Sequence, residues 1–252
     1  MTMGKVTKIA VEANIGTGKS HFLKLLGEWN ENLTICSEPV MQWQDVSTEP
    51  ALNFDEQVVP TKEHDESEEN NILKLFYREP QRWTFSFQCY AMSTSQAHFK
   101  NCVKHCNTPP NGKPVVVSER SLLSGRWVFA DYFRQKGIMS ELEWQMYRQI
   151  HTTISTGSSH TMIPHGVIYL RAPPETSFSR ISSRSRNEEE GVTLQYLKDI
   201  HQQHEKLYAP GGKVYKRMPV LIVDWNIEMN AGTPAIDEYA IAVEQFISLL
   251  QN

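Results

Sequence analysis

A parallel α/β fold, five strands in one sheet with helices on both faces, is predicted from three observations. Five short, almost wholly apolar runs recur along the 252 residues. The spans between them are long and helical in pattern, and the first run empties into a glycine-rich turn of phosphate-binding type. The runs are Lys8–Val11, Leu33–Cys36, Val115–Ser118, Val167–Leu170 and Val220–Val223. Strands buried on both faces need no polar alternation, so runs of this kind indicate a covered sheet. Ligands of such sheets gather outside the carboxyl ends of the strands. Those ends carry the glycine turn, Glu38, Glu119-Arg120, Arg171 and Asp224, so charge collects along one edge.

The first run, Ile9-Ala10-Val11, leads into Glu12-Ala13-Asn14-Ile15-Gly16-Thr17-Gly18-Lys19-Ser20. A phosphate cradle needs clustered backbone N–H groups, small residues that let the chain approach, a Lys for the β/γ-phosphates and a hydroxyl for Mg²⁺. Gly16, Gly18, Lys19 and Ser20 supply these parts, with Asn14, Ile15 and Thr17 between them. Phe22, Leu23, Leu25, Leu26 and Trp29 continue on a helical period, which places the anion at a helix N-terminus. The full motif has Gly where this chain has Ala13, so the backbone must pass Ala13 at an ordinary angle. A nucleoside triphosphate is the first ligand expected.

Length and composition fit one soluble domain spanning residues 1–252. The net charge of −4, with 21% charged and 40% hydrophobic residues, argues against a nucleic-acid partner. No apolar run reaches the ~20 residues of a membrane span. The loop stands so near the start that no leader peptide is expected, and a cytoplasmic location follows. Four cysteines, Cys36, Cys89, Cys102 and Cys106, suit a reduced intracellular protein.

The second strand exits into Ser37-Glu38-Pro39, where Pro halts the strand and fixes a carboxylate beyond its end. From Val46 to Asn71 the chain is irregular and acidic, a solvated loop over 47–70, with a helix starting near Glu69. The Arg78-Glu79-Pro80 step breaks that helix and opens a longer one. On it Phe85, Cys89, Met92, Phe99 and Val103 form an apolar stripe, and Gln88, Ala91 and Ser95 an adjacent face suited to the edge of a base. His98, Cys102 and Cys106 follow at helical spacing. One straight helix offers only two neighbouring ligands to a tetrahedral ion, so zinc is not expected there. His201-Gln202-Gln203-His204-Glu205 lacks the zinc-protease spacing, leaving nucleotide-bound Mg²⁺ as the one metal expected.

Glu12–Ser20, Glu38-Pro39-Val40 with Trp43, Arg82-Trp83 through Phe87-Gln88, Glu119-Arg120-Ser121, and Arg180 with Arg184-Ser185-Arg186-Asn187-Glu188-Glu189 together resemble the deoxyribonucleoside kinases. This P-loop kinase group includes deoxycytidine, deoxyguanosine and mitochondrial thymidine kinases and the broad insect enzyme. The resemblance spans most of the chain, with the motifs in family order. It implies that Glu38 takes the proton from the nucleoside 5′-hydroxyl as that oxygen attacks the γ-phosphorus of ATP, with Arg120 keeping the carboxylate charged. Lys19 and Ser20 would engage phosphates and Mg²⁺, and Glu119 would complete the metal's surroundings. Arg180, Arg184 and Arg186 would close as an arginine lid over 180–191. By the same likeness Tyr77 and Glu189 hold the 3′-hydroxyl, Gln88 reads the base, Phe129 stacks on it, and Trp43, Phe87 and Tyr196 form walls. Asp224-Trp225-Asn226 would lie beside the ATP base, and a homodimer through a helix pair is implied.

Members favouring deoxycytidine and purines place an Arg and an Asp at positions aligning with Ser95 and Gly125. Neither charge is present here, so the pocket is similar to the thymidine-type and broad members. The implied substrates are thymidine, then deoxycytidine and other pyrimidine deoxynucleosides, with purines poor. Two rivals remain: a thymidylate-type monophosphate kinase, which would want cations where Glu38 stands, and a non-catalytic relative kept for assembly, to which Ala13 gives a foothold.

Overall fold

The computed structural model describes residues 6–46, 51–52, 58–59, 70–109, 112–157, 161–184, 186–226 and 235–251. All five predicted strands form: β1 (Thr7–Glu12), β2 (Leu33–Cys36), β5 (Val115–Glu119), β6 (Gly166–Arg171) and β7 (Val220–Asp224). They build one parallel sheet in the order β2-β5-β1-β6-β7. The strand that feeds the glycine loop is therefore central.

Each face of the sheet has its own core. Ile9, Val11, Val117, Ile168 and Val223 pack with Phe22, Leu23 and Leu26 of α1 (Lys19–Trp29) and with Val243 and Phe246 of α10 (Ala235–Gln251). Val116, Val167 and Tyr169 face the other way, onto Phe99 and Val103 of α4 (Pro80–Lys104) and Ile200, Leu207 and Tyr208 of α9 (Leu194–Tyr208). Neighbouring residues of β6 thus serve opposite cores, which explains the unbroken apolar runs.

Between β2 and α4 lie α2 (Val40–Gln44) and α3 (Ile72–Arg78). The stretch read as irregular contains a small antiparallel ribbon, β3 (Ala51–Leu52) with β4 (Val58–Val59); most of the rest of 47–70 lies outside the described residues. The helix expected near Glu69 starts at Ile72, because the Asn71 side chain accepts the Lys74 backbone N–H at 2.8 Å and caps it. The apolar stripe of α4 also shifts. Phe87, Met92, Phe99 and Val103 are buried, while Phe85 and Cys89 are only partly so, since α3 covers the Phe87 side through Phe76 stacked at 4.5 Å.

After β5 come α5 (Leu122–Ser124), a π-helical turn over Gly125–Ala130, α6 (Asp131–Gln135) and α7 (Glu141–Thr156). A capping box starts α7: the Ser140 hydroxyl accepts the Glu143 N–H, and the Glu143 carboxylate accepts the Ser140 N–H at 2.8 Å. Helix α8 (Pro174–Arg184) precedes a 3₁₀ turn, Asn187–Glu189. Among the described residues no helix is long and apolar enough to cross a membrane.

Candidate active site

A cavity of about 1080 Å³ opens where β1, β2 and β5 end, and residues far apart in sequence line it together. Ile15, Gly16, Gly18, Lys19 and Ser20 come from the glycine loop, Glu38 and Trp43 from the β2 exit, and Glu119 and Arg120 from the β5 exit. Tyr77, Phe87, Gln88, Ala91, Ser95, Gly125, Phe129, Glu189 and Tyr196 line it too, as do Arg180, Arg184 and Arg186.

The loop is shaped by two glycines, Gly16 at φ +75° and Gly18 at φ +105°, angles that other residues adopt only with strain. A Cβ on Gly16 would also stand 2.5 Å from Ile181 Cγ1 and 2.7 Å from the Ser177 carbonyl. The loop therefore packs directly on α8. Ala13 has no such angle; among the described residues Arg120 is the sole non-glycine at positive φ. Asn14 and Thr17 do not line the cavity but hold the loop: Asn14 Nδ2 donates to the Leu197 carbonyl at 2.8 Å, and the Thr17 and Ser177 hydroxyls pair at 3.1 Å. Lys19 is buried at the start of α1, 3.9 Å from Glu119. Burial first, then Arg120, pulls its ammonium down to about 8, against Glu119 and Glu38, which favour the charge.

Arg120 is the hub of the carboxylate cluster. Its Nε donates to Glu38 Oε1 at 3.0 Å, its Nη1 to the Ala13 carbonyl at 2.8 Å, and its backbone N–H to the Val11 carbonyl at 3.0 Å. The guanidinium lies over the Phe129 ring at 4.7 Å. These contacts hold Arg120 at φ +64°, a conformation costing about 1–2 kcal/mol in an L-residue. Burial raises the Glu38 carboxyl above its ordinary value and Glu119 adds to this, while Arg120 and Lys19 pull it back. Glu119 in turn accepts from Ser20 Oγ at 3.1 Å and from the Glu38 N–H at 3.5 Å. Ser20 and Glu119 offer hard oxygen donors of the kind Mg²⁺ takes.

Sequence reasoning passed over Glu12, which is fully buried at the end of β1 and accepts from Ser121 Oγ at 2.6 Å. It also missed cavity-lining Met92, Tyr147 and Met162. Tyr147 comes from α7, and its hydroxyl would stand 3.7 Å from a Cβ placed on Gly125, so it fills ground beside that glycine. No local pattern marks it: helical periodicity makes it a core residue, and its neighbour is set by the packing of α7.

One expectation needs correction. Arg171 and Asp224, expected among the charges at the ligand edge, do not line the cavity; Arg171 is bound to Glu205 through Nε at 3.0 Å and Nη2 at 2.6 Å. In Asp224-Trp225-Asn226 the Trp225 side chain is core, edge-on to Phe22 at 5.1 Å, because an indole of that size is buried by α1. Only its carbonyl, accepting from Arg180 Nη2 at 3.2 Å, and Asn226 Oδ1, accepting from Thr176 Oγ1 at 2.8 Å, reach groups that line the cavity. The three arginines expected in a lid lie on two elements: Arg180 and Arg184 are on α8, which stops at Arg184, and Arg186 precedes the 3₁₀ turn. Arg184 grips Glu189 through two hydrogen bonds, Nε to Oε2 at 2.9 Å and Nη2 to Oε1, and Arg180 Nη1 donates to the Thr17 carbonyl.

Comparison with known proteins gives the same answer from whole sequences. A family model described as deoxynucleoside kinase matches residues 9–248. The chain is 32% identical to deoxycytidine kinase of Mus musculus over 98% of its own length and 93% of that protein's. It is 30% identical to mitochondrial deoxyguanosine kinase of Xenopus laevis, covering 97% and 91%. A probable deoxycytidine kinase of fowlpox virus is 26% identical, covering 86% and 78%. With a phosphate-type loop, a buried Glu38–Arg120 pair and an arginine-bearing helix around one cavity, and with this match along nearly its whole length, the chain belongs to the deoxynucleoside kinase family.

Proposed function

We propose that this chain transfers the γ-phosphoryl group of ATP to the 5′-hydroxyl of a pyrimidine deoxynucleoside, thymidine foremost and deoxycytidine also, within one domain. The observation that carries this reading is Glu38, held by Arg120 at 3.0 Å in the cavity that Lys19 and Ser20 also line. Phosphoryl transfer asks chiefly for positioning and charge neutralisation. Glu38 takes the hydroxyl proton, Lys19 and the loop N–H groups receive phosphate oxygens, and Arg180, Arg184 and Arg186 neutralise charge from the lid side. Mg²⁺, which Ser20 and Glu119 would hold, would supply neutralisation of phosphate charge when bound. Glu189 and Tyr77 take the 3′-hydroxyl, so the Arg184–Glu189 pair must loosen or share as both substrates arrive.

Base choice rests on what surrounds Gln88, whose amide suits thymine or cytosine equally. Among the residues lining the cavity, Ser95 and Gly125 bring neither a charge nor much bulk, which favours space for a 5-methyl group. Relatives named for deoxycytidine and deoxyguanosine make this the point most worth testing. With ATP as donor, kcat/KM is expected to be highest for thymidine, lower for deoxycytidine and poorest for purines. Discrimination by a methyl group is worth roughly 10–200-fold. A purine with the highest value overturns the base assignment, and turnover of thymidylate but no nucleoside favours the monophosphate-kinase rival. No turnover of any nucleoside favours the assembly role.

The pairing expected of the family has support on α7. Trp144, Tyr147 and His151 turn inward, leaving Leu142, Met146 and Ile150 exposed on the outer face at 72%, 44% and 37%. An apolar stripe of this kind suits a two-fold helix pair, where the same patch meets itself. Met146→Glu would set like charges against each other, and sedimentation velocity should show a dimer becoming a monomer. An unchanged sedimentation coefficient would exclude this face as the contact.

A further inference from the structure

We propose that Cys36, His98 and Cys102 form a binding site for a thiophilic divalent ion of the zinc type, distinct from the nucleotide site. The sequence offered His98 and Cys102 alone, two ligands one turn apart on α4. The fold adds Cys36, the last residue of β2, on the strand beneath that helix. The two sulfurs and the imidazole nitrogen all lie within 4.8 Å of one another. Cys102 Sγ and His98 Nε2 are 3.6 Å apart. A tetrahedral ion with Zn–S about 2.3 Å and Zn–N about 2.0–2.1 Å holds sulfur and nitrogen roughly 3.5–3.6 Å apart. The helical pair is thus already at bite distance.

Three further features agree. Two thiolates and an imidazole select a soft or borderline ion, whereas Ser20 and Glu119 offer the hard oxygens that Mg²⁺ takes, so the two sites sort metals by chemistry. Cys102 lies in the last turn of α4, where the helix carbonyls favour positive charge. Cys36 is 2% exposed, while His98 and Cys102 are only partly buried, which leaves an approach from solvent. An ion there would tie α4, which carries Gln88 and Ser95, to the strand that ends two residues before Glu38.

Co²⁺ titrated into the reduced, nucleotide-free chain tests this, because sulfur-to-cobalt charge transfer reports thiolate ligands and oxygen donors at Ser20 and Glu119 cannot produce it. One equivalent is expected to bind with that band and with the visible absorption of four-coordinate cobalt, and Zn²⁺ should displace it. His98→Ala and Cys102→Ser, both at partly exposed positions, should each weaken binding by about tenfold or more, the cost of losing even a supporting residue. Cys89→Ser should change nothing. No charge-transfer band with cobalt in excess, or a band and affinity untouched by both His98→Ala and Cys102→Ser, overturns the site and leaves a thiol–imidazole hydrogen bond in its place.

Discussion

Glu38→Gln is expected to lower kcat for nucleoside phosphorylation roughly 10²–10⁴-fold, the range that a positioned general base contributes. Gln keeps the length and planarity of Glu, and its carbonyl can still accept from Arg120 Nε, which now donates to Glu38 Oε1 at 3.0 Å. The pocket wall therefore survives, and what disappears is the group able to receive a proton. KM for ATP should stay unchanged, because Lys19, Ser20 and the loop glycines are untouched. A fall confined to kcat marks an interaction made in the transition state; a rise in the nucleoside KM alone would mark one made in the ground state. Wild-type turnover in this variant, measured under saturating thymidine and ATP, would remove Glu38 from the chemistry.

How much of this could be read from the chain follows from the range of the forces involved. The loop and strands were legible because each is written in contiguous residues: Ile9-Ala10-Val11 before Gly16-Thr17-Gly18-Lys19-Ser20, and Val115–Ser118 before Glu119-Arg120. Gln88, Ala91 and Ser95 were legible as a face because helix geometry repeats them on one side, and all three line the cavity. What stayed hidden depends on partners distant in sequence. The family likeness puts the Trp225 loop beside the ATP base but says nothing of its indole, which packs edge-on against Phe22, some two hundred residues earlier. Cys36 gave no sign of meeting His98 and Cys102, since only the packing of α4 on β2 unites them.

Removing Arg120 should be as damaging as removing the base, by a route that pH exposes. Glu38 must be ionised to accept a proton, and burial with Glu119 already pushes its carboxyl upward, held in check by Arg120 and Lys19. Loss of an opposite charge at this range moves a carboxyl by roughly 1–3 units. In Arg120→Gly and Arg120→Gln the acid limb of kcat/KM should accordingly move to higher pH. The stability sign follows from the same shift. A carboxyl whose folded value is raised favours the fold fully below its unfolded value, and that contribution is lost as pH rises through the folded one. Tm of both variants should therefore fall more steeply than wild type as pH rises above the ordinary carboxyl range. Orphaning a buried charge costs about 3–5 kcal/mol at the upper end, and both partners here are largely buried. The two substitutions differ in one respect: Gly relaxes the φ of +64° that Gln retains, so Arg120→Gly should be the more stable by about 1 kcal/mol. Identical pH profiles with different Tm values would separate the guanidinium's charge from its backbone, whereas an acid limb that does not move in either variant would show that Arg120 does not control the Glu38 proton.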